Sequence, residues 1–244
     1  VTAQNTRRVV SVFEIPVDMI EQQFDAVISD IGADAVKIGM LSSSLIIDAV
    51  ADKIREHAVK NLIVDPVMVS KSGDRLLHED ALDALKTKLL PLATLVTPNV
   101  EEAGVIVGRK LETLDDIRSA AEEIVAMGSS ACVVTGGISP GPATDFLYDG
   151  DELKAFSGGR IPSNNTHGTG CTFASACAVY IARGELVKSA VAQSKRYVTN
   201  AIKAAYPVGT GYGPLNHLYD LLQKAESSNI TASGGSTRET VSPE

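Results

Sequence analysis

The stretch Asn165-Thr-His-Gly-Thr-Gly-Cys-Thr-Phe173 is a glycine-interrupted turn that leads directly into an apolar helix. Glycines at 168 and 170 permit backbone angles and close approaches that a side chain would prevent, so neighbouring amides can converge on one point. Apolar residues recur near helical spacing from 172 to 183, which places these amides at the positive end of a helix dipole. The pattern predicts an anion site made by the amides of Gly168, Thr169, Gly170 and Cys171. A tight connection without a ligand is the alternative that the glycines alone leave open.

Cys171 falls on the first turn of this predicted helix. A thiol at the positive end of a helix has a lowered pKa and is partly thiolate. The position therefore predicts a proton acceptor or a nucleophile. The alternative is a small packed side chain without chemistry, which is the commoner role of a cysteine.

The composition and charge of the chain limit the classes of protein to which it can belong. The chain has 244 residues, 44% hydrophobic and 21% charged, as expected of a globular protein with one substantial core. Its net charge of -8 and pI near 5.1 argue against a nucleic-acid partner, so a phosphorylated ligand needs a local pocket. Three cysteines without metal-ligand spacing, no apolar run of roughly 18 residues and no signal-like start predict a cytoplasmic protein.

Short apolar runs alternate with helical patterns along the chain. After Pro16, apolar residues recur with a period near 3.6 until Gly32, which predicts a helix. Thr113 and Asp116 resemble a capping box at the start of another. Further helices are predicted at 45–54, 78–90, 113–127, 185–206 and 214–225, and strands at 34–39, 61–65, 94–97 and 131–135. This alternation predicts an α/β fold, with a mostly parallel sheet and helices on both faces.

The two ends and one internal segment depart from this alternation. The first 15 residues form short extended pieces, and residues 145–156 predict an antiparallel hairpin around an Asp-Gly turn. Residues 227–244 are rich in Ser, Thr and Gly and are predicted to be disordered, which leaves one domain over residues 1–226.

Candidate site residues follow the predicted strands, where ligands bind in open parallel sheets. They are Gln4, Met40, Asp65, Val67, Asn99, Glu102, Thr135 and Gly137. Each has a structural alternative, because Asp65 before Pro66 can start a turn and Asn99 can cap a helix. Together with the anion turn they suit phosphoryl transfer from Mg-ATP, with Asp65 and Glu102 as candidate Mg²⁺ ligands, directly or through water. The Walker-type loop is absent, so the pattern indicates another class of kinase.

These residues resemble the hydroxymethylpyrimidine and hydroxymethylpyrimidine-phosphate kinases of thiamine biosynthesis, in the ribokinase-like superfamily, from Thr2 to about Leu222. The matching motifs are Thr2-Ala-Gln-Asn-Thr6, Asp34-Ala-Val-Lys-Ile-Gly-Met-Leu41, Val64-Asp-Pro-Val-Met-Val-Ser-Lys-Ser-Gly-Asp74, Thr97-Pro-Asn-x-x-Glu-Ala103 and Asn165-Thr-His-Gly-Thr-Gly-Cys-Thr-Phe173. The resemblance implies a three-layer ribokinase-like fold with an antiparallel edge hairpin, and ATP and Mg²⁺ as cofactors.

The resemblance also implies roles for the residues at the strand ends. Gln4 would hydrogen-bond the pyrimidine, and Met40 and Val67 would line its pocket. Asn99 and Glu102 would serve the Mg-ATP site. The remaining roles are nucleotide contacts at Thr135 and Gly137, an anion hole at Gly168, Thr169 and Gly170, and a general base acting on the substrate hydroxyl at Cys171.

Two departures from the family pattern keep alternatives open. A strand and a glycine-rich segment that normally precede Val1 are missing, and Thr135-Gly-Gly-Ile138 stands where the family usually has Lys-Gly-Gly-His. The expected activity is ATP-dependent phosphorylation of 4-amino-5-hydroxymethyl-2-methylpyrimidine and its monophosphate. The alternatives are a pyridoxal kinase and a pyrimidine-binding protein with impaired catalysis. An exposed edge hairpin, in a family that resembles a dimer-former, also predicts a homodimer.

Overall fold

A computed structural model describes residues 1–68, 80–138 and 141–221 of the chain. The strands in this part are β1 (Thr2–Gln4), β2 (Val9–Val12), β3 (Val36–Ile38), β4 (Leu62–Val64), β5 (Leu95–Val96), β6 (Cys132–Val134), β7 (Ala143–Tyr148) and β8 (Leu153–Gly158). β3 to β8 form one sheet in that order, while β1 and β2 pair in a separate two-stranded sheet.

The large sheet changes direction at β6. β3, β4, β5 and β6 are parallel to one another, whereas β7 and β8 form an antiparallel hairpin at one edge. Parallel neighbours need a crossover, and helices supply it here. The predicted parallel sheet and edge hairpin are confirmed. Each parallel strand is shorter than its apolar run, so residues such as Asp65 and Thr97 lie just beyond the strand ends.

The helices are α1 (Val17–Asp30), α2 (Ser44–Glu56), α3 (Ala81–Ala84), α4 (Val100–Val107), α5 (Leu114–Ala126), α6 (Thr169–Ala182) and α7 (Val187–Lys203). α4 and α5 each begin with a capping box, formed by Asn99 with Glu102 and by Thr113 with Asp116. The capping box that the sequence predicted at Thr113 is therefore confirmed.

Two apolar cores lie on opposite faces of the sheet. Successive side chains of a strand point to opposite sides, so Leu62 and Val64 join the core that contains α2, α4 and α5. Ile63 between them joins the core under α6 and α7. The result is the predicted arrangement of three layers, helices over sheet over helices. α1 has no fully buried residue and is held to α2 by Asp25, which accepts a hydrogen bond from Lys53 at 2.8 Å.

Two predicted helices differ from the structure. The described part of 78–90 is broken, because α3 continues as a π turn (Leu85–Leu89) and a 3-10 turn (Leu90–Leu92) that contains Pro91. A helix beginning at Pro214 is wrong: Pro214 forms a bridge with His167, and helical structure starts only at 219. Three predicted segments lie outside the described residues: the start of the predicted helix 78–90, most of the motif at 64–74 and the tail 227–244.

None of the helices in the described ranges combines the length and the apolar character that crossing a membrane requires.

Candidate active site

The predicted anion turn caps α6. Gly168 takes a left-handed backbone angle (φ +81°), which allows the chain to turn into the helix. The Thr169 amide donates to the Thr166 carbonyl at 3.3 Å, and the Thr172 amide donates to Gly168 at 2.8 Å. The Thr169 amide is therefore occupied within the turn, and the amides at 170 and 171 are the first-turn donors that a helix leaves for a ligand.

Asp65 connects this turn to the sheet. It follows β4, is 3% exposed, and its Oδ1 lies 3.9 Å from the position that a Cβ on Gly170 would take. Lys37 from β3 places its Nζ 3.0 Å from Asp65 Oδ2 in an ion pair. The ammonium lies off the direction of a hydrogen bond, so Oδ2 is a buried oxygen that accepts none from the described residues. A buried carboxylate, paired through Oδ2 with Lys37, thus lies under the anion turn.

The pKa of the Cys171 thiol differs from the prediction. Part of the residue is exposed, but protein atoms surround the thiol on its other sides. This desolvation raises the pKa of Cys171 to about 11, and the negative charge of Asp65 adds to the shift. The predicted lowering of the pKa is therefore wrong, because burial and then the charge of Asp65 raise it. The thiol carries its proton at neutral pH.

Glu102 is the second carboxylate at the rim, the edge of the sheet where the parallel strands β3 to β6 end. Its Oε2 accepts a hydrogen bond from the Asn99 amide at 2.9 Å, and Asn99 Oδ1 accepts one from the Glu102 amide at 2.9 Å. Burial raises the pKa of Glu102 to about 7, and the charge of Asp65 adds to this. Asn99 both caps α4 and lies at the rim. A capping role and a site role for Asn99, which the sequence left open as alternatives, are therefore compatible.

Glu102→Gln is expected to flatten the pH dependence of stability. The wild-type carboxyl has a pKa of about 7 in the fold and 4.5 ordinarily, so the native state binds its proton more tightly than the unfolded chain does. Native stability therefore falls as the pH rises between these values, by about 3 kcal/mol at most for this group. We expect urea unfolding to show that the variant gains stability over wild type from about pH 5 to about pH 8. Glu101→Gln, an exposed neighbour on the same turn, is the control, and parallel pH curves for wild type and Glu102→Gln would contradict the expectation.

The predicted nucleotide residues meet at the ends of β5 and β6. Asn99 and Thr135 form a parallel bridge, and the Thr135 amide donates to the Pro98 carbonyl at 2.8 Å. Gly137 follows in a left-handed conformation (φ +59°). Arg160, which the sequence reading did not select, donates from Nη2 to the Gly136 carbonyl at 2.9 Å. A basic side chain thus reaches the turn from outside, where Thr135 and Ile138 carry no charge.

Neither of the two cavities described here contains all three predicted substrate residues. Gln4 Nε2 lies 3.5 Å from His167 Nε2, beside the anion turn. Val67 lines a small space next to Gly39, and Met40 is half-buried. A cavity of about 570 Å³ opens instead along the outer face of α6, and its lining includes Gly168, Cys171, Tyr180, Tyr197 and His217. Gln4, Met40 and Val67 are not among the described residues that line it.

A glycine-rich loop that the sequence reading did not use ties Gln4's hairpin to the anion turn. The Tyr212 amide donates to the Thr6 carbonyl at 2.8 Å, and the His167 amide donates to the Gly213 carbonyl at 3.0 Å. At Gly211 an added Cβ would collide with the Thr6 carbonyl. Alternate glycines at 209, 211 and 213 were the available signal for such a close approach.

Comparison with known proteins identifies the family of the chain. Residues 1–216 match the sequence profile of the phosphomethylpyrimidine kinase family. The chain belongs to this family. It is 43% identical over 217 residues to the hydroxymethylpyrimidine/phosphomethylpyrimidine kinase of Streptomyces coelicolor, covering 89% of this chain and 80% of that protein. It is 45% identical over 218 residues to a bifunctional thiamine biosynthesis protein of Geobacter sulfurreducens, but covers only 44% of that protein's length.

Two solved structures are similar to the structure of this chain. A Bacillus subtilis pyridoxal kinase in an ADP complex superposes with a TM-score of 0.80 at 38% identity, covering 87% of this chain and 80% of that one. The phosphomethylpyrimidine kinase of Clostridium difficile gives 0.72 at 40% identity, covering 82% and 83%. The predicted family, the ribokinase-like fold and the kinase class are thereby confirmed.

Proposed function

We propose that this chain transfers a phosphoryl group from ATP to the hydroxymethyl group of 4-amino-5-hydroxymethyl-2-methylpyrimidine, and to the phosphate of its monophosphate. The observation that carries the proposal is the position of Cys171 on the first turn of α6 with Asp65 beneath that turn, in a chain of the phosphomethylpyrimidine kinase family. Backbone donors at 170 and 171 would face the developing phosphate charge, which is the main task of a phosphoryl-transfer site.

Cys171 and Asp65 are proposed to remove the proton of the substrate hydroxyl together. The free thiol is protonated at neutral pH, so it cannot accept a proton unless it gives one up. Asp65 is close enough for its negative charge to raise the pKa of this thiol, and its carboxylate would take that proton. The hydroxyl proton would then move to sulfur while the thiol proton moves to the Asp65 carboxylate, and the alkoxide oxygen would attack phosphorus.

We propose that Asp65 and Glu102 would hold Mg²⁺, directly or through water. Both side chains offer the hard oxygen ligands that Mg²⁺ prefers, and Asp65 Oδ2 is a buried oxygen without a hydrogen bond. Lys37 occupies one side of Asp65, and Oε2 of Glu102 accepts the Asn99 amide, so the donor set fits an ion that keeps several waters. Bound Mg²⁺ would supply positive charge to the phosphates of ATP. Asn99, Thr135 and Gly137 are proposed to contact the nucleotide, and Arg160 is well placed to add a cation there.

The function is tested by following ADP release with the pyrimidine, its monophosphate and pyridoxal as separate acceptors. We expect a larger kcat/KM for the two pyrimidines than for pyridoxal. The similarity to the Bacillus subtilis pyridoxal kinase makes pyridoxal the second candidate acceptor, and the opposite order would establish it. Pyrimidine binding by calorimetry without ADP release from any acceptor would instead indicate a binding protein without turnover.

Gln4→Ala is expected to weaken pyrimidine binding far more than ATP binding. We propose that the Gln4 amide pairs with ring nitrogens, with Met40 and Val67 lining the pyrimidine pocket. Removing the amide would leave a buried polar edge of the ligand without a partner, at a cost of about 1 to 3 kcal/mol. Calorimetric titration with each ligand measures the two losses, and an equal loss for both would remove Gln4 from the substrate site.

A homodimer in the cytoplasm is proposed as the assembled form. β8 is an edge strand of the large sheet, and an open edge is a common site of association between two copies. Light scattering at micromolar concentration is expected to give twice the chain mass, and a monomer would contradict this.

A further inference from the structure

A buried ion pair joins α7 to strand β7. Lys195 Nζ lies 2.9 Å from Asp145 Oδ2, and the two side chains are 15% and 7% exposed. Removing two charges from water is costly, and apolar side chains of similar volume often stabilise a fold equally well or better. The reason for this pair therefore has to be sought in the group that it holds.

Asp145 holds the turn that follows β6. Its second oxygen, Oδ1, accepts a hydrogen bond from the Gly136 amide at 2.9 Å. Gly136 and Gly137 are both left-handed (φ +89° and +59°), and a Cβ on Gly137 would lie 3.1 Å from the Thr144 carbonyl oxygen. One buried carboxylate thus connects a lysine of α7 to a backbone turn whose conformation ordinary side chains disfavour.

The turn presents bare backbone to open space. Within the described residues, and apart from its two chain neighbours, no atom lies within 4 Å of the position that a Cβ on Gly136 would take. Arg160 fixes the other side of the same residue by donating to its carbonyl at 2.9 Å. The backbone around Gly136 is therefore held by Asp145 and by Arg160, and the described part of the chain leaves space above it for a ligand group at close range.

We propose that Lys195 is a positioning residue for the nucleotide. Through Asp145 it holds the Gly136–Gly137 turn in the conformation that ATP contacts, next to Asn99 and Thr135 at the same rim. Lys195 itself does not touch the ligand. The inference rests on the proposed function, in which the nucleotide binds at the ends of β5 and β6.

Lys195→Met is the central test, with steady-state kinetics for ATP and for the pyrimidine. We expect the KM for ATP to rise about 10- to 100-fold, by analogy with the loss seen when a hydrogen-bond partner of a metal ligand is removed. The KM for the pyrimidine should stay within about twofold, because the acceptor lies elsewhere. Lys195→Arg should restore most of the ATP affinity. The matched control is Lys188→Met, which removes an exposed ion pair from the same helix to Glu152 in the same hairpin and should change neither KM.

The outcomes separate this inference from the proposed function. If wild-type protein turns over and Lys195→Met leaves the KM for ATP unchanged, or raises both KM values equally, the positioning role is overturned while the function stands. If wild-type protein releases no ADP and binds no non-hydrolysable ATP analogue, the function fails and the inference fails with it. Should Lys195→Met not fold by circular dichroism, the double variant Asp145→Asn with Lys195→Met buries no unpaired charge. It should show the same selective loss for ATP, and a wild-type KM there would also overturn the proposal.

Discussion

Cys171→Ala is expected to lower kcat about 10²- to 10⁴-fold with little change in the affinity for either substrate, since a positioned proton acceptor contributes about this much. The neighbouring backbone amides persist in the variant, so phosphate binding should survive while proton removal from the hydroxyl fails. Stopped assays of ADP release at saturating substrates measure kcat, and calorimetry measures the affinities.

The competing role for Cys171 is packing alone. On that view the variant would lose thermal stability but keep its turnover, so thermal unfolding is measured beside kcat. Alkylation gives a second test, because Cys132 and Cys177 are buried and Cys171 is the exposed cysteine. Modification should inactivate the protein, and saturating pyrimidine should protect it. Near-normal turnover of Cys171→Ala would remove Cys171 from the proposed chemistry.

The layered fold could be predicted because its signals are local. Apolar runs of a few residues between helical patterns identified β3 to β6, and Gly32 marked the end of α1. The helix predicted from Pro214 failed for a reason outside its own sequence. Pro214 bridges to His167, and the Asn216 amide donates to the Ala201 carbonyl at 3.1 Å, so tertiary contacts hold this segment in another form.

The positions of Asp65, Asn99 and Thr135 at the strand ends could be predicted from topology, but the electrostatics of the site could not. The helix-dipole rule considers only the first turn of α6, whereas the pKa of Cys171 is set by burial and by Asp65, far away in the sequence. Charged residues inside buried strands were the unused signals. Lys37 interrupts an apolar strand and Asp145 lies in β7, and a charge in such a place needs a partner. The sequence could not reveal that the partner of Asp145 is Lys195, 50 residues away.

Asp65→Asn is expected to separate the reactivity of the thiol from catalysis. In wild type the carboxylate helps to raise the pKa of Cys171 to about 11, after desolvation, which is the larger cause. The amide removes the negative charge and leaves Lys37 unpaired beside the thiol, so the pKa of Cys171 should fall. The rate of alkylation against pH should therefore have a lower midpoint in the variant, and the thiol should react faster at neutral pH.

Turnover of Asp65→Asn should fall, although its thiol becomes more reactive. Without the Asp65 carboxylate, the thiol proton has no acceptor and the proposed Mg²⁺ site loses a ligand, so kcat/KM for ATP should fall by about 100-fold or more. Asp48→Asn is the matched control, because Asp48 also pairs with a lysine, Lys88, but on α2 away from the rim. It should change neither quantity. An unchanged alkylation midpoint in Asp65→Asn would show that Asp65 does not hold the thiol proton. A lower midpoint with normal turnover would leave Asp65 as a neighbour of Cys171 but remove it from the proton transfer, since a more reactive thiol would then be sufficient for the reaction.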